Sequence, residues 1–253
     1  DALPICLNME PILSVEHLRR DYGGRGSVTH AVDDVSFSVE RGEFVGIMGA
    51  SGSGKSTLLN CIATIDTPTA GHIRVEGQDV TALKGRSLSR FRRERLGFVF
   101  QDCNLLDTLT AFENIALALT IRGTPAGEIE GRVKETAELL GITDCLNKYP
   151  YQMSGGQRQR TAAARAIITD PALVLADEPT GALDSRTGRE VLGFLQKLNA
   201  EGDTVVLITH DNSIAVKAKR IVRLQDGRII YDGDAHDPKA VVQPELDEEV
   251  GAL

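Results

Sequence analysis

The sequence predicts an α/β fold built around a parallel sheet that is buried on both faces, and three observations predict it. Short unbroken apolar runs alternate with helical patterns along the chain. Each run ends at a glycine or a polar residue, and one of them leads through GASGSGKS, residues 49–56, directly into a helical pattern. Parallel strands covered on both faces read as continuous apolar runs because neither face meets water. The chain has 253 residues with 42% hydrophobic and 25% charged side chains. That is enough for one domain with a sizeable core, and it excludes disordered and low-complexity classes.

In chain order, ILSVEHL (12–18) and VSFSVE (35–40) alternate apolar and polar residues, as half-buried strands do. FVGIMG (44–49) is the first buried run and KSTLLNCIA (55–63) is helical. KGRSLSRFRRERLG (84–97) is the one concentrated basic stretch and reads as a solvated helix. LGFVFQ (96–101), ALVLAD (172–177) and TVVLITH (204–210) are three further buried strands. Residues 102–154 are mostly helical, through FENIALALTIR and EIEGRVKETAELLGI, and form a helical insert in the core. RQRTAAARAII (158–168) is another helix. Residues 1–11 read as a tail, with Met9 a candidate native start, and 236–253 as an acidic tail; 12–235 form one domain. Ligands of parallel sheets sit at the carboxyl ends of the strands, so the chemistry should gather at Gly49, Gln101, Asp177 and His210.

The net charge of −8 disfavours nucleic acid as the main partner, since backbone phosphates need a concentrated positive surface. Cys6, Cys61, Cys103 and Cys145 lie far apart without a C-x-x-C pair, which argues for free thiols in a reducing cytosol and against zinc. His17, His30, His72 and His236 lack metal-ligand spacing. The longest apolar stretch, 115–121, is far short of the roughly 20 residues a membrane span needs. The N-terminus has neither the basic start nor the apolar centre of a signal peptide. Any role at a membrane would run through a partner.

Gly49, Ala50, Ser51, Gly52, Ser53, Gly54, Lys55 and Ser56 match G-x-x-x-x-G-K-S, a phosphate-binding loop in its expected place between strand and helix. The glycines let backbone N–H groups close on phosphate oxygens, and the helix N-terminus, with Thr57 in its first turn, adds its positive end. Lys55 would reach the β- and γ-phosphates of ATP, and the Ser56 hydroxyl would ligate Mg2+. Asp177 and Glu178 end an apolar strand: Asp177 fits the Mg2+ shell, and Glu178 the group that orients or deprotonates the attacking water. Ser154, Gly155, Gly156 and Gln157 form a second anion cradle at the start of a helix.

Met153 to Gln157, MSGGQ, closely resembles the LSGGQ signature of ATP-binding cassette (ABC) ATPases, with Met in place of Leu. Gln101 resembles that family's Q-loop glutamine, which senses Mg2+ and the γ-phosphate. Asp184, in ALD after Gly181, resembles the D-loop residue that crosses to a partner subunit. His210 resembles the switch histidine, and Tyr22, in RRDYGG after the first strand, the aromatic that stacks on adenine. The resemblance spans roughly residues 12–233. It implies an ABC cassette: a P-loop NTPase with a RecA-like core, an antiparallel β subdomain and a helical subdomain at about 102–154. It also implies a head-to-tail dimer of two copies, each capping the other's ATP, and a transmembrane permease partner at the cytoplasmic face of the membrane. RGEFVGIMG (41–49) and DEPTGALD (177–184) resemble the lipoprotein-release and macrolide-export group, and FVFQDCNLLDTLT (98–110) the bacitracin-resistance (Bce-type) peptide transporter ATPases. That implies a transport ATPase serving antimicrobial-peptide resistance or export. The alternative is a non-transport ABC ATPase that regulates a membrane partner, of the cell-division or lipoprotein-release type.

Overall fold

The computed structural model describes residues 10–24, 27–181 and 185–241. Two sheets and a set of helices share the chain. Strand β1 (Leu13–Gly24) pairs antiparallel with β2 (Ser27–Val39), and β3 (Phe44–Met48) leads to helix α1 (Lys55–Ile62). Strands β4 (Ala70–Val75) and β5 (Gln78–Asp79) complete a four-stranded antiparallel sheet in the order β2-β1-β4-β5. Helix α2 (Gly85–Arg95) precedes β6 (Leu96–Val99), and α3 (Ala111–Arg122), α4 (Ala126–Leu139) and α5 (Gly155–Ile167) follow. Strand β7 (Leu173–Asp177), helix α6 (Ser185–Ala200), β8 (Val205–Ile208), the short α7 (Asn212–Ala215) and the hairpin β9 (Arg220–Gln225) and β10 (Arg228–Asp234) end the described fold. The second sheet runs β10-β9-β3-β8-β7-β6, with β9, β3, β8, β7 and β6 parallel and β10 antiparallel.

The central strands divide their side chains between two cores. Phe44 and Met48 of β3, Val174 and Ala176 of β7, and Val205 and Leu207 of β8 face a core shared with α3, α4, α5 and α6. Val45, Ile47, Leu173, Leu175, Val206 and Ile208 face the other, shared with α1 and the antiparallel sheet. This is the period-2 alternation of strands with both faces covered, so every position but the terminal Asp177 of β7 is apolar. Burying a Leu, Ile or Phe side chain contributes about 1.5–3 kcal/mol.

The antiparallel strands are longer than their alternating segments. Strand β1 extends past Leu18 and includes Tyr22, which is expected after the strand, and β2 begins eight residues before Val35. Register shifts at Val15/Leu18, Leu18/Arg20 and Arg20/Asp21 bulge the pair and break the period, which hides the outer halves from a pattern search. The basic stretch forms α2, of which Phe91 is buried. The helical segment is α3 and α4 joined to α5 through two 3-10 turns, Thr143–Cys145 and Pro150–Gln152. Asn114 of α3 is wholly buried; its amide donates to the carbonyls of Leu106, Leu109 and Thr110 and its Oδ1 accepts from Leu106 N, pinning the loop after β6. No helix among the described residues is long and apolar enough to cross a membrane.

Candidate functional site

The carboxyl ends of β3, β6, β7 and β8 lie side by side in the parallel sheet, so Gly49, Gln101, Asp177 and His210 stand at or just past the ends of adjacent strands. The loop 49–56 turns from β3 into α1. Gly49, Gly52 and Gly54 take φ values of 156°, 82° and 99°, which L side chains rarely adopt. A Cβ at Gly54 would overlap the carbonyl of Ala31 on β2, and one at Gly49 that of Leu224 on β9. The loop is therefore wedged between two sheets. The β9–β10 turn braces it further: Gly227 N donates to Ser53 O at 3.1 Å and Asp33 N donates to Gly227 O at 2.8 Å.

Lys55 is 6% exposed, and its Nζ donates to the carbonyls of Gly49 at 2.8 Å and Ala50 at 2.7 Å. Two of its three donors curl the loop and one remains for a ligand. Burial holds its pKa below the ordinary lysine value, while Glu178 and Asp177 oppose that shift. Ser53 Oγ is buried without a hydrogen-bond partner, and the first helical hydrogen bond of α1 runs from Leu58 N to Gly54 O. The N–H groups of Lys55, Ser56 and Thr57 are thus outside the helical ladder. Donors surround the loop and no carboxylate caps it, a composition that fits phosphate oxygens.

Glu178 follows β7 in the left-handed region, φ 42°, where a non-glycine residue is uncommon and strain gathers at working sites. Its N–H donates to Ile208 O at 3.0 Å. His210 Nδ1 lies 2.8 Å from Glu178 Oε1, so the two groups are a direct pair. A cleft of about 620 Å³ opens beside them, lined by Glu178, Thr180, Thr209 and His210. Asp177 is half-buried, and burial, then the neighbouring Glu178, push its pKa above the ordinary carboxylate value, with Lys55 pulling the other way. The Gln101 amide Nε2 sits 3.2 Å from where a Cβ on Gly181 would lie, and Gly181 N donates to Glu178 O.

No group of three or more His, Cys, Asp or Glu that could hold a metal exists among the described residues. Ser56, Gln101 and Asp177 offer hydroxyl, amide and carboxylate oxygens, a hard donor set that suits Mg2+ once phosphate oxygens supply the rest.

Ser154 and Gln157 close a capping box at the start of α5: Ser154 Oγ accepts from Gln157 N at 3.2 Å, and Gln157 Oε1 accepts from Ser154 N at 3.0 Å. Gln157 Nε2 reaches Asp144 at 3.4 Å. None of these bonds reaches the phosphate loop, and no hydrogen bond joins the two cradles directly among the described residues. Gly155 and Gly156 are the first two helical residues. Tyr22 is 41% exposed on β1, paired with Thr29, two residues from the Ala31 that touches the phosphate loop. The expectation for Asp184 lies outside the described residues, as do the outer parts of both tails.

Several site residues escaped the sequence reading. Gln159 of α5 is wholly buried, donates to Phe100 O at 3.1 Å and accepts from the Cys103 thiol at 2.6 Å; Arg165 donates to the carbonyls of Cys103 and Asn104. The helix after Ser154 therefore grips the segment that carries Gln101. The β9–β10 hairpin was also missed, although Asp226-Gly227 between two alternating runs is its signal.

A family profile described as "ABC transporter" matches residues 32–181. The bacitracin export ATP-binding protein BceA of Halalkalibacterium halodurans is 45% identical over 227 residues, 88% of this chain and 90% of that protein. The macrolide export ATP-binding/permease protein MacB 1/2 of Paracoccus denitrificans is 44% identical over 230 residues, 91% of this chain and 34% of that protein. This chain thus spans about a third of the length of the first such relatives. Among solved structures, a dimeric post-hydrolysis state of the ATP-binding cassette MJ0796 bound to ADP and Pi aligns with a TM-score of 0.81 and 38% identity, covering 88% of this chain and 99% of that one.

Proposed function

This chain belongs to the ABC transporter family as an ATP-hydrolysing cassette, and from that membership we propose that it powers a separate permease from the cytoplasmic face of the membrane, exporting or removing a bacitracin-like peptide. One observation carries the catalytic part: a strained Glu178 paired at 2.8 Å with His210, at the strand ends beside the Lys55 loop. The peptide part rests on the BceA likeness, which covers nine-tenths of that protein, whereas the macrolide relatives match over a third of theirs.

ATP phosphates lie in the 49–56 loop, met by the third donor of Lys55, the Ser53 hydroxyl and the free N–H groups of α1. Ser56, Asp177 and Gln101 would hold Mg2+, which would supply positive charge against the phosphate oxygens. Glu178 orients the attacking water and takes its proton. His210, with Nδ1 engaged by Glu178, presents Nε2 to the γ-phosphate side. Tyr22 stacks on the adenine. In a head-to-tail pair, Ser154, Gly155, Gly156 and Gln157 of the second copy close over the γ-phosphate.

The test is ATP hydrolysis by the chain reconstituted with its permease in lipid vesicles. Added bacitracin should stimulate it, and Glu178→Gln should bind ATP yet hydrolyse it about 10²–10⁴-fold more slowly. Normal hydrolysis by Glu178→Gln would remove Glu178 from the mechanism; indifference to bacitracin would remove the peptide assignment.

A further inference from the structure

Tyr22 does not stand alone. The Arg20 guanidinium carbon lies 4.5 Å from its ring centroid, which covers one face and leaves stacking to the other. The Tyr22 hydroxyl donates to Asp66 Oδ2 at 2.5 Å. The same carboxylate takes the Arg20 fork, with Nε 2.9 Å from Oδ2 and Nη2 2.8 Å from Oδ1. The side chains of Arg20 and Asp66 are 24% and 21% exposed, so this pair is sheltered where most surface pairs are not. Asp66 pins the edge of the ring and Arg20 its face.

Asp66 is itself fixed to the phosphate-loop helix. It lies in the turn just after α1, where Ile65 N and Asp66 N both donate to Asn60 O, at 2.9 and 3.0 Å. Thr67 N caps its Oδ1 at 2.8 Å. From the other side, Thr69 N donates to Arg19 O at 2.7 Å and Asp21 N to Thr69 Oγ1 at 2.9 Å, tying this turn to β1. Helix α1 thus carries the phosphate loop at one end and the anchor of the ring at the other, about 12 Å apart for eight residues.

We propose that Arg20 and Asp66 are positioning residues for the nucleotide: they lock Tyr22 as a one-faced platform and, through α1, set its distance from the phosphate loop. This rests on Tyr22 being the adenine platform. A tyrosine already fixed at both torsions loses little freedom when a base stacks on it, so the benefit falls on binding rather than turnover.

The experiment measures steady-state ATP hydrolysis for wild type, Arg20→Ala, Asp66→Asn, Tyr22→Ala and the double variant Arg20→Ala/Tyr22→Ala, with inorganic tripolyphosphate as a competitor that has no base. Each single variant should raise KM for ATP about three- to tenfold, while kcat changes less than about twofold. Tripolyphosphate inhibition should be unchanged. Arg20→Lys should recover part of the loss, and the double variant should be no worse than Tyr22→Ala alone, because the arginine acts through the ring. A raised KM for Tyr22→Ala with wild-type KM in Arg20→Ala and Asp66→Asn would overturn the positioning role and leave the platform standing. An unchanged KM in Tyr22→Ala would overturn the platform, and this inference with it. Equal loss of tripolyphosphate affinity would place the damage in the phosphate loop and also overturn the proposal.

Discussion

Asp177 and Lys55 show how much the site opposes the charges it needs. Burial works against both ionised forms, and Glu178 adds a like charge beside Asp177. The folded pKa of Asp177 lies above its ordinary value near 3.8, so the folded chain holds a proton that the unfolded chain has released between those two values. The contribution to stability is whole below pH 3.8 and is lost as pH rises through the raised pKa. Asp177→Asn removes that loss. Its melting temperature should exceed that of the wild type at pH 7, and the gap should close as the pH falls towards 4. Hydrolysis should drop at least about a hundredfold at every pH. Calorimetry across pH with parallel rate measurements checks both; an unstable Asp177→Asn at neutral pH would contradict the account of its shift.

At the scale of elements, what the sequence disclosed follows from distance along the chain. The buried strands β3, β7 and β8 are plain because two-sided burial demands unbroken apolar residues. GASGSGKS, Asp177-Glu178 and Ser154 to Gln157 are plain because each works through consecutive residues. Arg20 and Asp66 were not, being 46 positions apart, nor were Cys103 and Gln159, 56 apart; in each case only the folded chain brings the partners together. The outer half of β1 was hidden by its bulges. Asn114 belongs with these: nothing local marks it, yet its amide holds the loop after β6 through four bonds. Asn114→Ala should leave the Leu106 N–H and three carbonyls without that partner and cost about 1–3 kcal/mol. A lower melting temperature with faster hydrogen exchange confined to 104–110 is the expected outcome. Unchanged exchange there would show that the loop is held by other means.

On the scale of the whole molecule, the parallel sheet presents its strand ends as one row, while Ser154 begins a helix of the other layer and bonds only within it. Under the proposed function each chain carries two half-sites, the Lys55 loop and the Ser154 turn, which no hydrogen bond joins among the described residues. Under that function, two copies related by a two-fold axis would place each half against its complement, and the pair would be the working unit.

Mixing two inactive variants tests this most directly. Lys55→Ala damages the phosphate loop, and Ser154→Arg fills the opposing cradle; each alone should hydrolyse ATP about a hundredfold more slowly than wild type. In an equal mixture about half of the pairs are mixed, each with one intact site formed by the Lys55 loop of one copy and the Ser154 turn of the other. The mixture should therefore recover about a quarter of wild-type hydrolysis. A mixture that stays as inactive as its components at every ratio would contradict the shared site.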